Sequence, residues 1–259
     1  MFTGFWFDFT ILLLAALVGS IAIIPYSMRL LKASPKGKKL KLPLWMISLL
    51  SILQNAVLFA IAISVGLILS HQMGHGAPLI DALRKEEGWT QAATSALLIG
   101  FVLGALGGSF LLIADLFFVP YFPKKLLDTA LQTTFWENMT ASLYGGINEE
   151  IFMRLCGLSL VVWLLSKIWH SPIEVFWTAN IVIAILFAIG HLPTLKTTIG
   201  EISRIMLFRS LLLNIPIGLI CGWLFWNNGI EAAIVAHYSA DIVYHVIGTF
   251  ILRKKVKQT

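Results

Sequence analysis

Apolar residues run through this chain in blocks of about twenty, separated by short polar intervals. Seven blocks lie near residues 9–31, 44–70, 92–119, 141–166, 174–192, 205–226 and 230–252. A helix needs about 20 apolar residues to cross a hydrocarbon core of roughly 30 Å. Each block therefore predicts a membrane-spanning helix, and the short loops leave no room for a separate folded unit. The expected fold is all-α, a single polytopic membrane bundle of about seven transmembrane helices. The first block is too long for the apolar part of a cleaved leader and carries Asp8 where basic residues would stand, so it is expected to remain a helix. The longest outer loop, 71–90, predicts a short interfacial helix over 79–89.

Composition agrees. Hydrophobic residues make up 58% of the 259 positions and charged residues only 12%, against about 25% charged in soluble domains. Such a chain cannot cover a water-exposed surface of its own size. An ordinary soluble enzyme, a disordered tail and a nucleic-acid binder are excluded. The net charge of +6 has another origin. With seven spans, 15 of the 19 basic residues fall on one side of the membrane, among them Lys36, Lys38, Lys39, Lys124, Arg204 and Lys254. Only Arg84, Lys85 and Lys167 fall on the other, and Arg154 lies inside a span. Loops rich in Lys and Arg stay inside, so the N-terminus is expected outside and the C-terminus inside. Short loops and the absence of a targeting signal suit an integral protein of a prokaryotic plasma (inner) membrane.

Ionisable groups within spans cost about 2.5–3.5 kcal/mol each on insertion scales and mark function by default. They gather in the later spans, which divides the chain into scaffold helices (1–134) and a polar core (135–252). Glu150 and Arg154 are four apart with the acid first, the favourable helix pairing. Glu149 points about 100° away and has no partner on its own helix. Desolvation favours its role as a base. Gly145 and Gly146 just before it suggest close packing or a local opening of the helix. Phe187 and His191 share a face, with Asn180 and Ala184 extending the stripe, and Pro193 predicts a helix end or kink. His237 and Asp241 again lie four apart, an arrangement that can fix a histidine tautomer. Tyr244 and His245 follow, the latter expected at the interface.

These side chains can activate a water and stabilise an oxyanion. Equally, they can hold one metal, since His, Glu and Asp are acceptable zinc ligands. Elsewhere the chemistry is bland. Cys156 and Cys221 lack metal spacing and are expected to be small buried residues. His71 and His75 are expected to be solvated. Gly100, Gly104, Gly107 and Gly108 predict close helix packing.

The ordered series EExxxR at 149–154, FxxxH at 187–191 and HxxxD at 237–241 resembles the three motifs of the CPBP intramembrane proteases. This family is also called Abi, CAAX or bacteriocin-processing proteases, and it includes the Ras-converting type of CAAX prenyl endopeptidase. The segment GWLFWNNGIEAAIVAHYSAD, ending at Asp241, resembles the family's closing segment. The resemblance spans about 135–250. It implies an intramembrane endopeptidase whose cavity opens to the cytosol. Glu149 would activate the attacking water and His191 would help hold it. His237 and Asp241 would serve the oxyanion, supported by Glu150, Arg154 and Phe187. Asp241 departs from the asparagine of many prenyl-processing members. As aspartate it is protonated and donates, or orients His237, or ligates a metal. Were a metal bound, Glu149, His191, His237 and Asp241 would be its ligands and zinc the candidate ion. The partners implied are the lipid bilayer and a protein or peptide substrate, which can be lipid-modified. Two other functions fit the same residues, a non-catalytic immunity or partner-binding protein and a proton-coupled transporter.

Overall fold

The computed structural model describes residues 4–34, 37 and 41–256. All regular structure among them is helical. Helix α1 (Phe5–Ala22) continues after Ile23 as α2 (Ile24–Ala33), with Pro25 in the first turn, where a missing N–H costs nothing. Then come α3 (Leu44–Gln72), α4 (Pro78–Lys85), α5 (Trp89–Leu116), a 3₁₀ turn (Val119–Tyr121), α6 (Lys124–Gln132) and α7 (Phe135–Tyr144). After α7 the chain stays helical through π-type turns over Gly145–Glu149 and Ile151–Leu158, and ends as α8 (Ser159–Leu165). The remaining helices are α9 (Pro172–Gly190), α10 (Leu192–Ile199), α11 (Arg204–Asn228), α12 (Ile230–Asp241) and α13 (Gly248–Val256), with a third π stretch at Ile242–Ile247. Lys36, Lys38, Lys39 and Lys257, part of the basic asymmetry, lie outside the described residues, and the side chains of Lys254 and Lys255 are likewise not described.

Among the described residues, six helices are long and apolar enough to cross a membrane. They correspond to six of the seven predicted blocks. The other block, 141–166, falls on the composite helix 135–165 and ends on its C-cap, Ser166. That helix starts earlier than its apolar run because Thr134 caps it. Thr134 Oγ1 accepts from the Glu137 amide at 3.2 Å, and the Glu137 carboxylate accepts from the Thr134 amide at 2.8 Å. The six added residues matter for depth. Glu149 lies about 20 Å along its helix, and His237 about 10 Å along α12 from the opposite end. On the hydropathy blocks alone these side chains would sit at different depths, whereas on the observed helices their levels meet.

Small residues decide where α12 lies. Gly100, Gly104 and Gly108 of α5 face Ala232, Ala236 and Ala240 of α12, both series repeating every four residues. A methyl added at Gly100 would stand 2.7 Å from the Ala232 carbonyl oxygen, and one at Gly108 2.5 Å from that of Ala240. The two backbones touch, as small-residue seams in membranes allow. At the far end, the α11–α12 connection is the single residue Gly229, at φ 90°. The 71–90 segment is fastened to it. The Ile230 amide donates to the Gly76 carbonyl at 2.9 Å, and Glu231 accepts from the Ile80 amide at 3.0 Å. His75 is not simply solvated, because its ring lies 3.8 Å from that of Trp226. The interfacial helix is shorter than the predicted 79–89. It stops at Lys85, with Glu86 in the left-handed region at φ 58°.

Candidate active site

Four elements converge on a cavity of about 780 Å³. Gly145 and Glu149 come from the π-turned part of the composite helix, Phe187 and His191 from the end of α9, Asn214 from α11, and His237 and Asp241 from α12. Ser20, Tyr26, Asn55 and Asp115 show that the first half of the chain supplies walls as well. Inserted π turns shift the side chains that follow them, and such turns recur at functional sites. Here one precedes Glu150. Asn148 fixes the same turn to α1, donating to the Ala16 carbonyl at 2.8 Å and to Ser20 Oγ at 3.0 Å.

The buried half of the site is an ionic chain. Glu150 Oε1 stands 3.0 Å from Arg154 NH1 and 2.6 Å from His237 Nδ1. Arg154 also donates to the Gly218 carbonyl at 3.0 Å, and its guanidinium lies 4.8 Å over the Phe187 ring. Phe187 in turn meets His191 and His237 edge-on, at 4.6 Å and 5.6 Å between ring centroids. The expected i,i+4 pairing of Glu150 with Arg154 is present. The orientation of His237 differs from expectation. Glu150, on another helix, holds its Nδ1, while Asp241 Oδ1 lies 3.8 Å from Nε2, beyond hydrogen-bond length.

The open half holds Glu149 and His191, 29% and 38% exposed, with Oε2 and Nε2 3.8 Å apart. His191 Nδ1 lies 2.9 Å from the Phe187 carbonyl oxygen. A carbonyl only accepts, so Nδ1 carries a proton, and Nε2 is turned toward the Glu149 carboxylate.

The four sequence-derived candidates thus share one cavity, as two pairs. Their donor atoms do not gather into a metal cage. Among the described residues, the group of three donor atoms within 4.8 Å of one another is Glu150, Cys221 and His237. Its Glu150 oxygen is already shared with Arg154, whose guanidinium stays protonated. A dication does not fit there. Cys221 is buried as expected, whereas Cys156 is half-buried.

One constellation was not singled out from the sequence. Arg209 binds Asp115 bidentately at 2.5 and 2.8 Å, and the Tyr244 hydroxyl donates to Asp115 at 2.8 Å and accepts from Arg209 at 2.9 Å. These residues line the cavity and tie α5, α11 and the last π turn together. Arg209 reads in the sequence as a loop base, because its partner lies 94 positions away.

Comparison with curated proteins and with solved structures gives no match. A family model does match. Residues 131–243 fit the model described as Type II CAAX prenyl endopeptidase Rce1-like. Glu149, Glu150, Arg154, Phe187, His191, His237 and Asp241 all fall within those residues. Over that segment, the chain is similar to the CAAX protease family.

Proposed function

We propose that this protein is an intramembrane endopeptidase in which Glu149 activates a water to hydrolyse a peptide bond. The family match supports a CAAX-type intramembrane endopeptidase in general, working in a lipid bilayer on a protein substrate. The finer reading rests on one observation. Glu149 Oε2 and His191 Nε2 face each other across 3.8 Å, and in this reading His191 is neutral with its proton on Nδ1, so that Nε2 accepts. A water donating one proton to each satisfies both groups and is thereby polarised for attack.

In this reading the water oxygen attacks the scissile carbonyl carbon as Glu149 takes its proton. The carbonyl oxygen becomes an oxyanion beside His237. Glu150 accepts from its Nδ1 at 2.6 Å and Asp241 stands 3.8 Å from its Nε2, and in this reading the ring carries a proton on both nitrogens. Its Nε2–H serves the oxyanion in the low-dielectric interior. Glu149 then passes its proton to the leaving nitrogen and the C–N bond breaks. Every step uses groups of the chain, and none is routed through a metal. The substrate is a membrane-associated protein or peptide, and the setting a prokaryotic plasma membrane with the N-terminus outside.

The test compares membranes holding wild-type protein with membranes holding Glu149→Ala or His191→Ala. Peptides with newly cut ends are expected in the first and absent in both variants, with insertion unchanged. Full cleavage in either variant would reject the assignment. An unchanged biological effect without any cleavage would favour a non-catalytic binding protein.

A further inference from the structure

Eight residues separate His191 from Gly200, and they form α10. Four of them, Thr194, Thr197, Thr198 and Ile199, are β-branched. Thr197 and Thr198 turn their hydroxyls back onto the Pro193 and Thr194 carbonyls at 2.9 and 3.0 Å. Such residues make a weak helix. Pro193 has no N–H to bond back to α9, so the helix breaks at His191, which is at once the C-cap of α9 and the N-cap of α10. Glycines bracket the segment. Gly200 sits at φ 88°, and a Cβ at Gly190 or at Gly200 would meet nothing within 4 Å. Both ends of α10 thus have room to turn. Through Leu195 and Thr198, α10 forms one wall of the cavity, and it packs on α6, which supplies Leu126 and Thr129. The two helices are held differently. Arg253 donates to the Leu131 carbonyl at 2.9 Å and to that of Thr133, and Arg29 donates to Thr133 Oγ1 at 2.8 Å, so the end of α6 is fastened to α13 and α2. No residue of α10 is buried, and among the described residues no hydrogen bond or ion pair joins 192–200 to another element. Segments with little burial and no cross-ties open at the lowest cost.

We propose that α10 is a flap over the active-site cavity, pivoting at His191 and Gly200 and closing against α6, so that opening admits substrate and parts His191 from Glu149. Hinges of this kind are a few element-terminal residues that absorb the backbone change. Here one hinge residue is itself a site residue. His191 Nε2 faces Glu149 Oε2 across 3.8 Å while the flap is closed. An open flap has no water site between the two groups, and closure rebuilds it. The coupling runs both ways: whatever holds His191 to Glu149 also favours the closed flap. That the opening admits a peptide rests on the endopeptidase reading, whereas the motion itself does not.

The experiment uses the full chain in detergent micelles with nitroxide labels on Lys125→Cys in α6 and Lys196→Cys in α10, both exposed positions. Cys156→Ser removes the half-buried thiol, and Cys221 is buried. Pulsed dipolar spectroscopy reads the distance between the labels, and a major shorter and a minor longer distance are expected. Glu149→Ala removes the group that His191 faces, and the ratio of longer to shorter is expected to rise about fivefold. Gly200→Ala, strained at its positive φ, is expected to raise the ratio as well. A distribution that Glu149→Ala leaves unchanged overturns the proposal, whatever Gly200→Ala does. Joining the two cysteines with a reducible bismaleimide linker is expected to stop cutting of the membrane peptides that the unlinked protein cuts, and reduction of the linker to restore it. Full cleavage by the linked protein overturns the flap as the entrance. If the unlinked protein cleaves nothing while the distances shift as stated, the endopeptidase reading fails and the flap stands.

Discussion

Glu150 and His237 are 87 residues apart in the chain, yet their side chains meet at 2.6 Å in the buried half of the site. The same carboxylate oxygen pairs with Arg154 at 3.0 Å. One anion therefore compensates a buried guanidinium and fixes the ring orientation of a site histidine. Removing one member of a buried pair leaves a bare charge and costs about 3–5 kcal/mol.

Glu150→Gln is accordingly expected to lower the melting temperature in detergent and to abolish cleavage. Adding Arg154→Met removes the orphaned charge and is expected to restore much of the stability. Cleavage is expected to stay lost, because Nδ1 of His237 still lacks its carboxylate. Recovery of both together would show that Glu150 acts on stability alone.

The α5–α12 seam sets where His237 stands. Gly104→Ala places a methyl against the Ala236 backbone, next to that histidine. Overpacking of this kind costs about 1–3 kcal/mol, and a shift near 1 Å can lower turnover by about 10²-fold. Gly107→Ala is the control, because its methyl meets the end of Ile217 at 3.2 Å instead of α12. Cleavage by the two variants, compared at equal expression, checks the seam.

Strong chelators are expected to leave cleavage unchanged, since the donor atoms of Glu149, His191, His237 and Asp241 stand as two pairs. The measurement is activity before and after chelation, alongside elemental analysis. Stoichiometric zinc whose removal stops turnover would reject the metal-free route.

Burial beside Trp226 holds the His75 imidazole below its usual range, partly offset by a hydrogen bond to the Trp226 backbone. The fold thus prefers the neutral ring. Its stabilising effect is complete above the unfolded value near 6.5 and is lost as pH falls through the lower folded value. Hydrogen exchange over residues 71–90 is expected to quicken as pH is lowered through that window. In His75→Phe the response should vanish.

Orientation is open to a labelling test. Lys85→Cys is expected to react with an impermeant maleimide added outside intact cells, and Lys196→Cys only after lysis. Buried Cys221 should contribute little background. The reversed pattern would invert the topology.

The sequence by itself determined the helices and their chemistry. Twenty-residue apolar blocks leave the backbone no alternative in lipid, and the spacing of Glu150 with Arg154 and of His237 with Asp241 follows from 3.6 residues per turn. Relations between helices were decided by the tertiary structure. Glu150 reaches His237 because a glycine–alanine seam sets α12 against α5 and because π turns re-aim the composite helix. The Asp115–Arg209–Tyr244 triad exists only once three distant elements pack. Periodicity along one helix is local and therefore written in the chain. The distance between two side chains on different helices depends on every contact that places those helices, and no single segment carries that information.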